Sequence, residues 1–154
     1  MPVQGRPIAC GRPGRQHQFL FYRLEEEGHG VIYNAPVEVR MEGADPVQTD
    51  LVYLTRDQRA LIEDKSIVGA PALLVEILSP STASRDRTLK LNKYARCGVP
   101  EYWIVDPRAK VLEVFRLVDG YYRVDAALAE GDVLESHFGV KVDLEALFAP
   151  LPDE

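Results

Sequence analysis

The sequence has few of the residues that build metal clusters or disulfide frameworks. Its 154 residues include two cysteines and three histidines, whose spacing does not match a zinc site or a small disulfide-linked domain. No apolar run approaches the roughly 18 residues of a membrane span, and the first residues lack the apolar stretch of a secretory signal. A glycine-rich phosphate loop and a serine nucleophile elbow are also missing. We therefore expect a cytoplasmic protein without a membrane partner.

Apolar residues are abundant enough to build one buried core. They make up 46% of a chain whose 154 residues suit a single domain. Glycine, proline and arginine are frequent in the first sixteen residues, and no periodicity is visible there. We therefore expect an irregular N-terminal arm over residues 1–16 and a single domain over residues 17–154.

The net charge of −6 arises almost entirely near the end of the chain. Residues 119–154 contain nine acidic and two basic residues, whereas residues 1–118 contain fifteen acidic and sixteen basic residues. A basic surface is therefore compatible with the composition, although a solvated helix face is the simpler interpretation. The candidate cations are close together in the sequence: Arg85, Arg87, Lys90, Lys93 and Arg96.

Hydrophobic periodicity and turn residues predict an α/β order of elements. The run at 72–78 is apolar on both faces of a strand, which is typical of a covered, central strand. Gly98 ends the helix that follows it, and the next strand is expected to lie parallel to the first. In chain order, the predicted elements are helix 17–27, extended segment 31–41, strand 50–54, strand 72–78, helix 85–97, strand 101–106, a hairpin of 110–118 and 121–126 around Asp119-Gly120, a strand near 133–142 and a helical turn over 143–148.

Glu76 is the one charged residue in the apolar strand 72–78, where it shares a face with Leu74 and Leu78. Burying an unpaired carboxylate costs several kcal/mol or forces it to take up a proton. The sequence leaves three explanations open for this residue. It has a basic partner, it has a hydrogen-bonded structural role, or it binds a metal ion.

Asp50 and Lys90 make the metal hypothesis stronger. If strands 50–54 and 72–78 are neighbours, the carboxylates of Asp50 and Glu76 lie about one strand spacing apart, roughly 4.8 Å plus side-chain reach. Two such oxygen ligands suit Mg²⁺ or Mn²⁺. Asp86, Lys90 and Tyr94 share one face of the predicted helix, and a lysine there can orient a water molecule. The alternatives are a turn residue for Asp50 and a surface ion pair between Asp86 and Lys90.

The stretch VGAPALLVEILSPSTASRDRTLKLNKYARCGVPEYWIVDP at 68–107 resembles the signature of a bacterial family of putative restriction endonucleases in the PD-(D/E)xK nuclease superfamily. The matching motifs are GAP, VEILSPST, D-x-x-x-K-x-x-x-Y and GVPEYWIVDP, and upstream NAPVEV and QTDLVYL are also similar. The resemblance implies a restriction endonuclease-like α-β-β-β-α-β core. In such a fold, helices flank a mixed sheet, and here a β-rich C-terminal extension follows.

The resemblance also implies roles for individual residues. Asp50 takes the place of the PD aspartate, although Thr49 replaces the proline before it, and Glu76 takes the place of the (D/E). Leu78 stands where the simplest motif has its lysine, so the following helix supplies the lysine, Lys90, with Lys93 as the alternative. A second literal match, Glu63-Asp64-Lys65, falls in a segment that we expect to be a polar loop.

The implied activity is Mg²⁺- or Mn²⁺-dependent hydrolysis of phosphodiester bonds, with DNA as the expected substrate and RNA as an alternative. The Ile77 carbonyl is expected to join the two carboxylates at the metal, Asp86 and Tyr94 to support Lys90, and His17 to line the site from the first helix. Phosphate contacts are expected from Arg85, Arg87, Lys93 and Arg96.

Two other hypotheses remain. One is a catalytically inactive nuclease fold that binds nucleic acid or regulates another protein. The other is a homodimer whose strands over 110–142 form the assembly surface, and site-specific recognition at this chain length also favours a homodimer.

The remaining candidates receive structural interpretations. Tyr102 and Trp103 lie in a predicted strand and are expected to pack in the core. His29 and His137 are expected to be solvated, and Cys97 to be a small buried residue at the end of a helix.

Overall fold

A six-stranded mixed sheet forms the centre of the computed structural model, which describes residues 14–27, 29–35, 37–79 and 84–150. The α-helices of these residues are α1 Arg15–Glu27, α2 Ser84–Arg96 and α3 Leu144–Phe148, and a 3₁₀ helix spans Arg56–Leu61. The strands are β1 Val31–Asn34, β2 Glu38–Arg40, β3 Leu51–Leu54, β4 Ile62–Glu63, β5 Ser66–Val68, β6 Leu73–Ile77, β7 Glu101–Asp106, β8 Val111–Val118, β9 Tyr121–Ala129, β10 Val133–Glu135 and β11 Lys141–Asp143.

The central sheet has the strand order β1-β3-β6-β7-β8-β9. β6 and β7 are parallel, and the other neighbouring strands are antiparallel. The crossover from β6 through α2 to β7 explains the parallel pair, because parallel strands need a long connection. The order α1, β1, β3, β6, α2, β7 confirms the predicted α-β-β-β-α-β core.

Helices cover both faces of the sheet, and each face has its own apolar cluster. Leu20 of α1 and Leu147 of α3 pack with Trp103 on the first face. Tyr94 of α2 packs with Leu74 and Tyr102 on the second face. Residues alternate between the two clusters along β6 and β7, as the two-residue period of a strand requires. The first four residues of β6 are buried, which confirms the prediction of a covered central strand.

The insertions between the core strands form a second, three-stranded sheet with the order β2-β5-β4. The segment Glu63-Asp64-Lys65 lies at the turn between β4 and β5, where Asp64 has a φ of 44°. The prediction of a polar loop without flanking strands was therefore wrong, because two short strands pair on either side of it. Glu63 is exposed in this sheet and belongs to a different layer from Asp50.

The ends of the fold differ in detail from the prediction. α1 begins at Arg15, inside the segment predicted to be an irregular arm, and the first thirteen residues lie outside the described part. The single strand predicted near 133–142 is two strands, β10 and β11, which form a hairpin. Asp143 then caps α3 by accepting a hydrogen bond from the Glu145 N–H at 3.0 Å.

Turn geometry agrees with the sequence at two positions. Gly98 has a φ of 81° two residues after the end of α2, which is the conformation of a glycine that ends a helix. Asp119 and Gly120 have φ values of 53° and 85° between β8 and β9, as a two-residue hairpin turn requires.

A β-bulge changes the direction of side chains within β9. Val114 of β8 pairs with Ala126, but Phe115 pairs with Val124, so Asp125 is the extra residue. The bulge lets Tyr122 pack against the second cluster while Ala126 and Leu128 pack against the first. Within the described residues, the helices are too short or too polar to cross a membrane.

Candidate active site

The pairing of β3 with β6 brings two carboxylates to one end of the sheet. Leu51 lies opposite Val75 in this antiparallel pair, so the next position outward aligns Asp50 with Glu76. Asp50 directly precedes β3, and Glu76 is the last residue but one of β6. Residues two apart share a face of a strand, which places Glu76 with Leu74 on the face that α2 covers.

Asp50 is fixed through both its side chain and its backbone. Its Oδ2 accepts a hydrogen bond of 2.7 Å from the backbone N–H of Ile77, the residue after Glu76. Its carbonyl oxygen accepts a hydrogen bond of 3.1 Å from the backbone N–H of Ala35. The same oxygen lies 3.1 Å from His17 Nε2, which donates because a carbonyl only accepts. His17 Nδ1 is buried and has no partner among the described residues.

Glu76 is buried, with 7% of its surface exposed, and three side chains donate to its carboxylate. Lys90 Nζ lies 3.0 Å from Oε1 and 3.2 Å from Oε2. The Tyr94 hydroxyl donates to Oε1 at 3.2 Å, and the Tyr102 hydroxyl donates to Oε2 at 2.6 Å. Of the explanations that the sequence left open, the basic partner is therefore present, and hydrogen bonds from two hydroxyls accompany it.

Burial and neighbouring charges together determine how the side chains around Glu76 are paired. Lys90 balances the charge of Glu76, as a buried carboxylate requires. Burial raises the pKa of Tyr102, and the negative charge of Glu76 raises it further. The Tyr102 hydroxyl therefore stays protonated and remains a hydrogen-bond donor.

The predicted phosphate-contacting residues lie in different surroundings. Arg87 pairs with Glu113 of β8 at 2.5 Å, and its guanidinium lies 5.8 Å from the centre of the Phe115 ring. Lys93 and Arg96 lie in the last turn of α2, away from the end of β6 that carries Glu76. The side chains of Arg85 and Asp86 lie outside the described part of the chain.

The donor set fits a hard divalent cation. Asp50 Oδ2 accepts a hydrogen bond from the Ile77 N–H, which leaves Oδ1 outside that bond and brings the backbone of Ile77 beside the carboxylate. Oxygen ligands from two carboxylates and a carbonyl are the kind that Mg²⁺ and Mn²⁺ prefer. Within the described residues, no three histidine, cysteine, aspartate or glutamate side chains cluster as ligands.

Tyr102 is the part of this site that the sequence interpretation missed. The residue does pack in the core, as expected, but its hydroxyl reaches the carboxylate of Glu76. In the parallel pair of β6 and β7, Tyr102 lies opposite Leu74, and Glu76 is two residues further along the same face. The sequence predicted that β6 and β7 are parallel. Placing Tyr102 beside Glu76 also requires the register between the two strands, which the strand direction alone does not give.

A second buried carboxylate lies at the opposite end of β7. Glu101, with 4% exposed, accepts hydrogen bonds from Trp103 Nε1 at 2.9 Å and lies 3.2 Å from His137 Nδ1. Burial raises the pKa of Glu101, although these two partners and Arg116 lower it in part. His137 is exposed, as expected, and it also pairs with Glu101, a contact that the sequence did not predict. Cys97 is half-buried rather than fully buried, with Sγ 3.9 Å from the Glu42 carbonyl oxygen.

Comparison with known families connects this geometry to other proteins. The model of the Uma2 family, described as "Putative restriction endonuclease", matches residues 3–149. The chain belongs to this family. The match confirms the resemblance found in the sequence, and it includes all the elements that carry Asp50, Glu76 and Lys90.

The fold has also been observed in a solved structure. The chain is similar to a crystal structure described as a putative nuclease belonging to DUF820 from Anabaena variabilis, with a TM-score of 0.74 and 16% sequence identity. The alignment covers 94% of this chain and 84% of that chain. At this identity the similarity establishes the fold, a mixed sheet flanked by helices. No curated protein matches the sequence.

Proposed function

We propose that this chain is an endonuclease that hydrolyses phosphodiester bonds in DNA with the help of Mg²⁺ or Mn²⁺. The observation that carries the proposal is the alignment of Asp50 with Glu76 on neighbouring strands, with Lys90 at hydrogen-bond distance from Glu76. This is the combination of two acidic residues and a lysine that the PD-(D/E)xK motif requires. Membership of the Uma2 family supports the same activity.

Asp50, Glu76 and the Ile77 carbonyl would hold the metal ion. When bound, the ion supplies Lewis-acid stabilisation of the charge that develops on the phosphate and makes a bound water more acidic. The hydrogen bond from Ile77 N–H to Asp50 fixes the distance between the two strand ends. The hydrogen bond from His17 to the Asp50 carbonyl braces the same residue from the opposite face of the sheet.

Lys90 orients the water that attacks the phosphorus atom. The water oxygen forms a new bond to phosphorus and gives up a proton to solvent, while the bond from phosphorus to the leaving oxygen breaks and that oxygen takes up a proton from solvent to become a hydroxyl. Lys90 is suited to this because its charge neutralises phosphate oxygens and its side chain is one-third exposed. Tyr94, which donates a hydrogen bond to Glu76, is one of the proposed supporting residues of Lys90. Asp86 is the other.

Phosphates on either side of the cleaved bond are proposed to contact α2. The candidates are Arg85, Arg87, Lys93 and Arg96, of which Lys93 and Arg96 would contact phosphates further from the cleaved bond. Arg87 must share its charge with Glu113, so its contribution is expected to be smaller. RNA offers the same phosphates and is the alternative substrate.

DNA cleavage assays with Mg²⁺, Mn²⁺ or EDTA test the proposal. We expect cleavage only with metal, and we expect Glu76→Ala and Asp50→Asn to abolish it while the far-ultraviolet circular dichroism spectrum stays unchanged. Full activity of Glu76→Ala would exclude the assigned site. Parallel assays on single-stranded DNA, double-stranded DNA and RNA identify the substrate.

A second function is a nuclease fold that binds nucleic acid without cleaving it. Lys90, Tyr94 and Tyr102 already satisfy the Glu76 carboxylate, and this arrangement is stable as a structural ion pair. Salt-sensitive DNA binding without cleavage, retained in Asp50→Asn and Lys90→Ala, would support this function over the first.

A further inference from the structure

Two tyrosine hydroxyls from different elements hold the carboxylate of Glu76. Tyr94 comes from α2 and donates to Oε1, and Tyr102 comes from β7 and donates to Oε2. The bond from Tyr102 is the shorter, at 2.6 Å against 3.2 Å. A single donor would leave the carboxylate free to rotate, whereas two donors, one on each oxygen, fix the plane of the group.

The rings that carry these hydroxyls are immobilised by their neighbours. Tyr94 and Tyr102 are each 1% exposed, and their rings meet edge-on with centres 5.0 Å apart and an angle of 86°. Phe115 and Tyr122 pack on the other side of Tyr102, with ring centres at 6.3 Å and 6.1 Å. This packing restrains the two rings that carry the hydroxyls beside Glu76.

Lys90, the third donor, differs from the tyrosines in mobility. Its side chain is 33% exposed and ends a flexible four-carbon chain, so it can move toward solvent or a substrate phosphate. When Lys90 moves, the two tyrosines still hold the carboxylate. Each oxygen of a carboxylate accepts in two directions, so one direction on each oxygen remains open for a cation.

We propose that Tyr102 is a positioning residue, which orients the Glu76 carboxylate toward a divalent cation, and that Tyr94 assists it. The proposal rests on the proposed function, because it concerns the same metal site. Tyr102 does not contact the substrate. It acts through Glu76. Its hydrogen bond restricts rotation of the carboxylate before the metal binds, so less conformational entropy is lost on binding.

Calorimetric titration of the full chain with Mn²⁺, without substrate, tests this role in Tyr102→Phe. The substitution keeps the ring and removes only the hydroxyl. We expect Mn²⁺ binding to weaken by about 10- to 100-fold, the range found when partners of metal ligands are removed. Tyr94→Phe, whose hydrogen bond is longer, should weaken binding less.

Tyr122→Phe is the matched control. Its hydroxyl belongs to the same aromatic cluster but donates to the Val99 carbonyl at 2.8 Å instead of to Glu76. We expect this variant to bind Mn²⁺ with the affinity of the unsubstituted protein. An equal loss in both variants would assign the effect to ring packing and overturn the proposal.

Kinetics separate positioning from substrate binding. In Tyr102→Phe at saturating Mn²⁺, kcat should fall while KM for DNA stays unchanged, because the hydroxyl does not touch the substrate. Wild-type Mn²⁺ affinity in Tyr102→Phe would overturn the positioning role and leave the proposed function intact. A failure of the unsubstituted protein to bind Mn²⁺, with Asp50→Asn giving the same result, would overturn both.

Discussion

The two buried carboxylates of this fold are balanced in different ways. Glu76 has an ammonium group at 3.0 Å and two hydroxyls as donors, whereas Glu101 has the Trp103 indole, the half-exposed His137 at 3.2 Å and Arg116 only at 4.0 Å. A carboxylate with a close permanent cation tolerates burial better than one whose nearer partner is charged only when protonated. The Glu101 site is therefore expected to respond to pH, and the Glu76 site to respond to cations.

The stability of the protein should depend on the protonation of Glu101. Burial raises its folded pKa above the reference value of 4.5, so the folded state binds the proton more tightly than the unfolded state. Stability contributed by this proton is full below pH 4.5 and is lost as the pH rises through the folded pKa. In urea unfolding from pH 4 to pH 8, Glu101→Gln should lack this decline.

The same experiment includes a control for the histidine. His137→Gln removes a partner that lowers the Glu101 pKa when it is charged, so the decline should move to higher pH. Identical profiles for the unsubstituted protein and Glu101→Gln would show that Glu101 does not titrate differently in the two states.

Lys90 should compete with a metal ion for Glu76. Without metal, Lys90→Met leaves a buried carboxylate with no counter-charge and should lower stability by about 2 kcal/mol, a value reduced because Lys90 is one-third exposed. With the ammonium gone, Mn²⁺ should bind more tightly and restore the loss. Thermal unfolding in EDTA and in Mn²⁺ measures both effects.

The control for Lys90 is another cation on the same helix. Lys93→Met removes a charge from α2 without touching Glu76, so neither its unfolding in EDTA nor its Mn²⁺ affinity should change. Weaker Mn²⁺ binding in Lys90→Met would contradict the competition and indicate that Lys90 helps to hold the ion.

At the scale of elements, the β8–β9 hairpin depends on two residues with positive φ. Asp119→Val places a β-branched residue in the left-handed conformation and should cost about 1–2 kcal/mol of unfolding free energy. Asp119→Gly adopts the same φ without strain and serves as the matched control. Urea unfolding compares the two variants, and equal stabilities would contradict the turn assignment.

The elements formed by local patterns were the ones that the sequence predicted well. The apolar run of β6, the stop at Gly98 and the turn at Asp119-Gly120 are each readable from a few neighbouring residues. The adjacency of β3 and β6 was only a condition for bringing Asp50 close to Glu76, and the observed pairing of these strands fulfils that condition.

The sheet β2-β5-β4 and the contact of Tyr102 with Glu76 could not be predicted in the same way. Strands of two or three residues have too little periodicity to be recognised, and their pairing partners are distant in the sequence. The tyrosine contact depends on the register between two strands, which α2 and its flanking loops set. Local sequence contains neither the partner nor the register.

At the scale of the whole molecule, the charge distribution separates the two ends of the chain. The acidic excess lies over residues 119–154, and the described part of this segment, which ends at residue 150, contains β9, the β10–β11 hairpin and α3. The candidate phosphate contacts lie on α2. DNA is therefore expected to approach the face that α2 covers and to avoid the face that α1 and α3 cover.

DNA affinity should fall as the salt concentration rises, and the steepness of this fall should depend on the basic residues of α2. If Lys93 and Arg96 contact phosphates, Lys93→Gln and Arg96→Gln should each reduce the slope of log K against log salt by about 1. Arg123→Gln, on the edge strand β9, is the control and should leave the slope unchanged. Fluorescence anisotropy over a range of salt concentrations measures it, and a change in the control alone would locate the DNA elsewhere.

The assembly state is a further prediction at this scale. We expect a homodimer, because site-specific recognition of DNA by a chain of this length favours two copies related by symmetry. The edge strand β9 belongs to the predicted assembly surface, although its bulge at Asp125 is a feature that discourages edge-to-edge pairing. Light scattering gives the mass directly, and a monomer at all concentrations would refute the dimer.

The long sequence separation between Glu76 and its donors has a consequence for protein synthesis. Tyr102 lies 26 residues downstream of Glu76, so the ribosome must complete β7 before the carboxylate can obtain its shortest hydrogen bond. At about 5–20 residues per second, this interval is a few seconds. Lys90, only 14 residues downstream of Glu76, is translated earlier and supplies the counter-charge, so the bond from Tyr102 is the later contact to form. The arrangement around Glu76 is therefore completed only after the strand beside β6 has been translated.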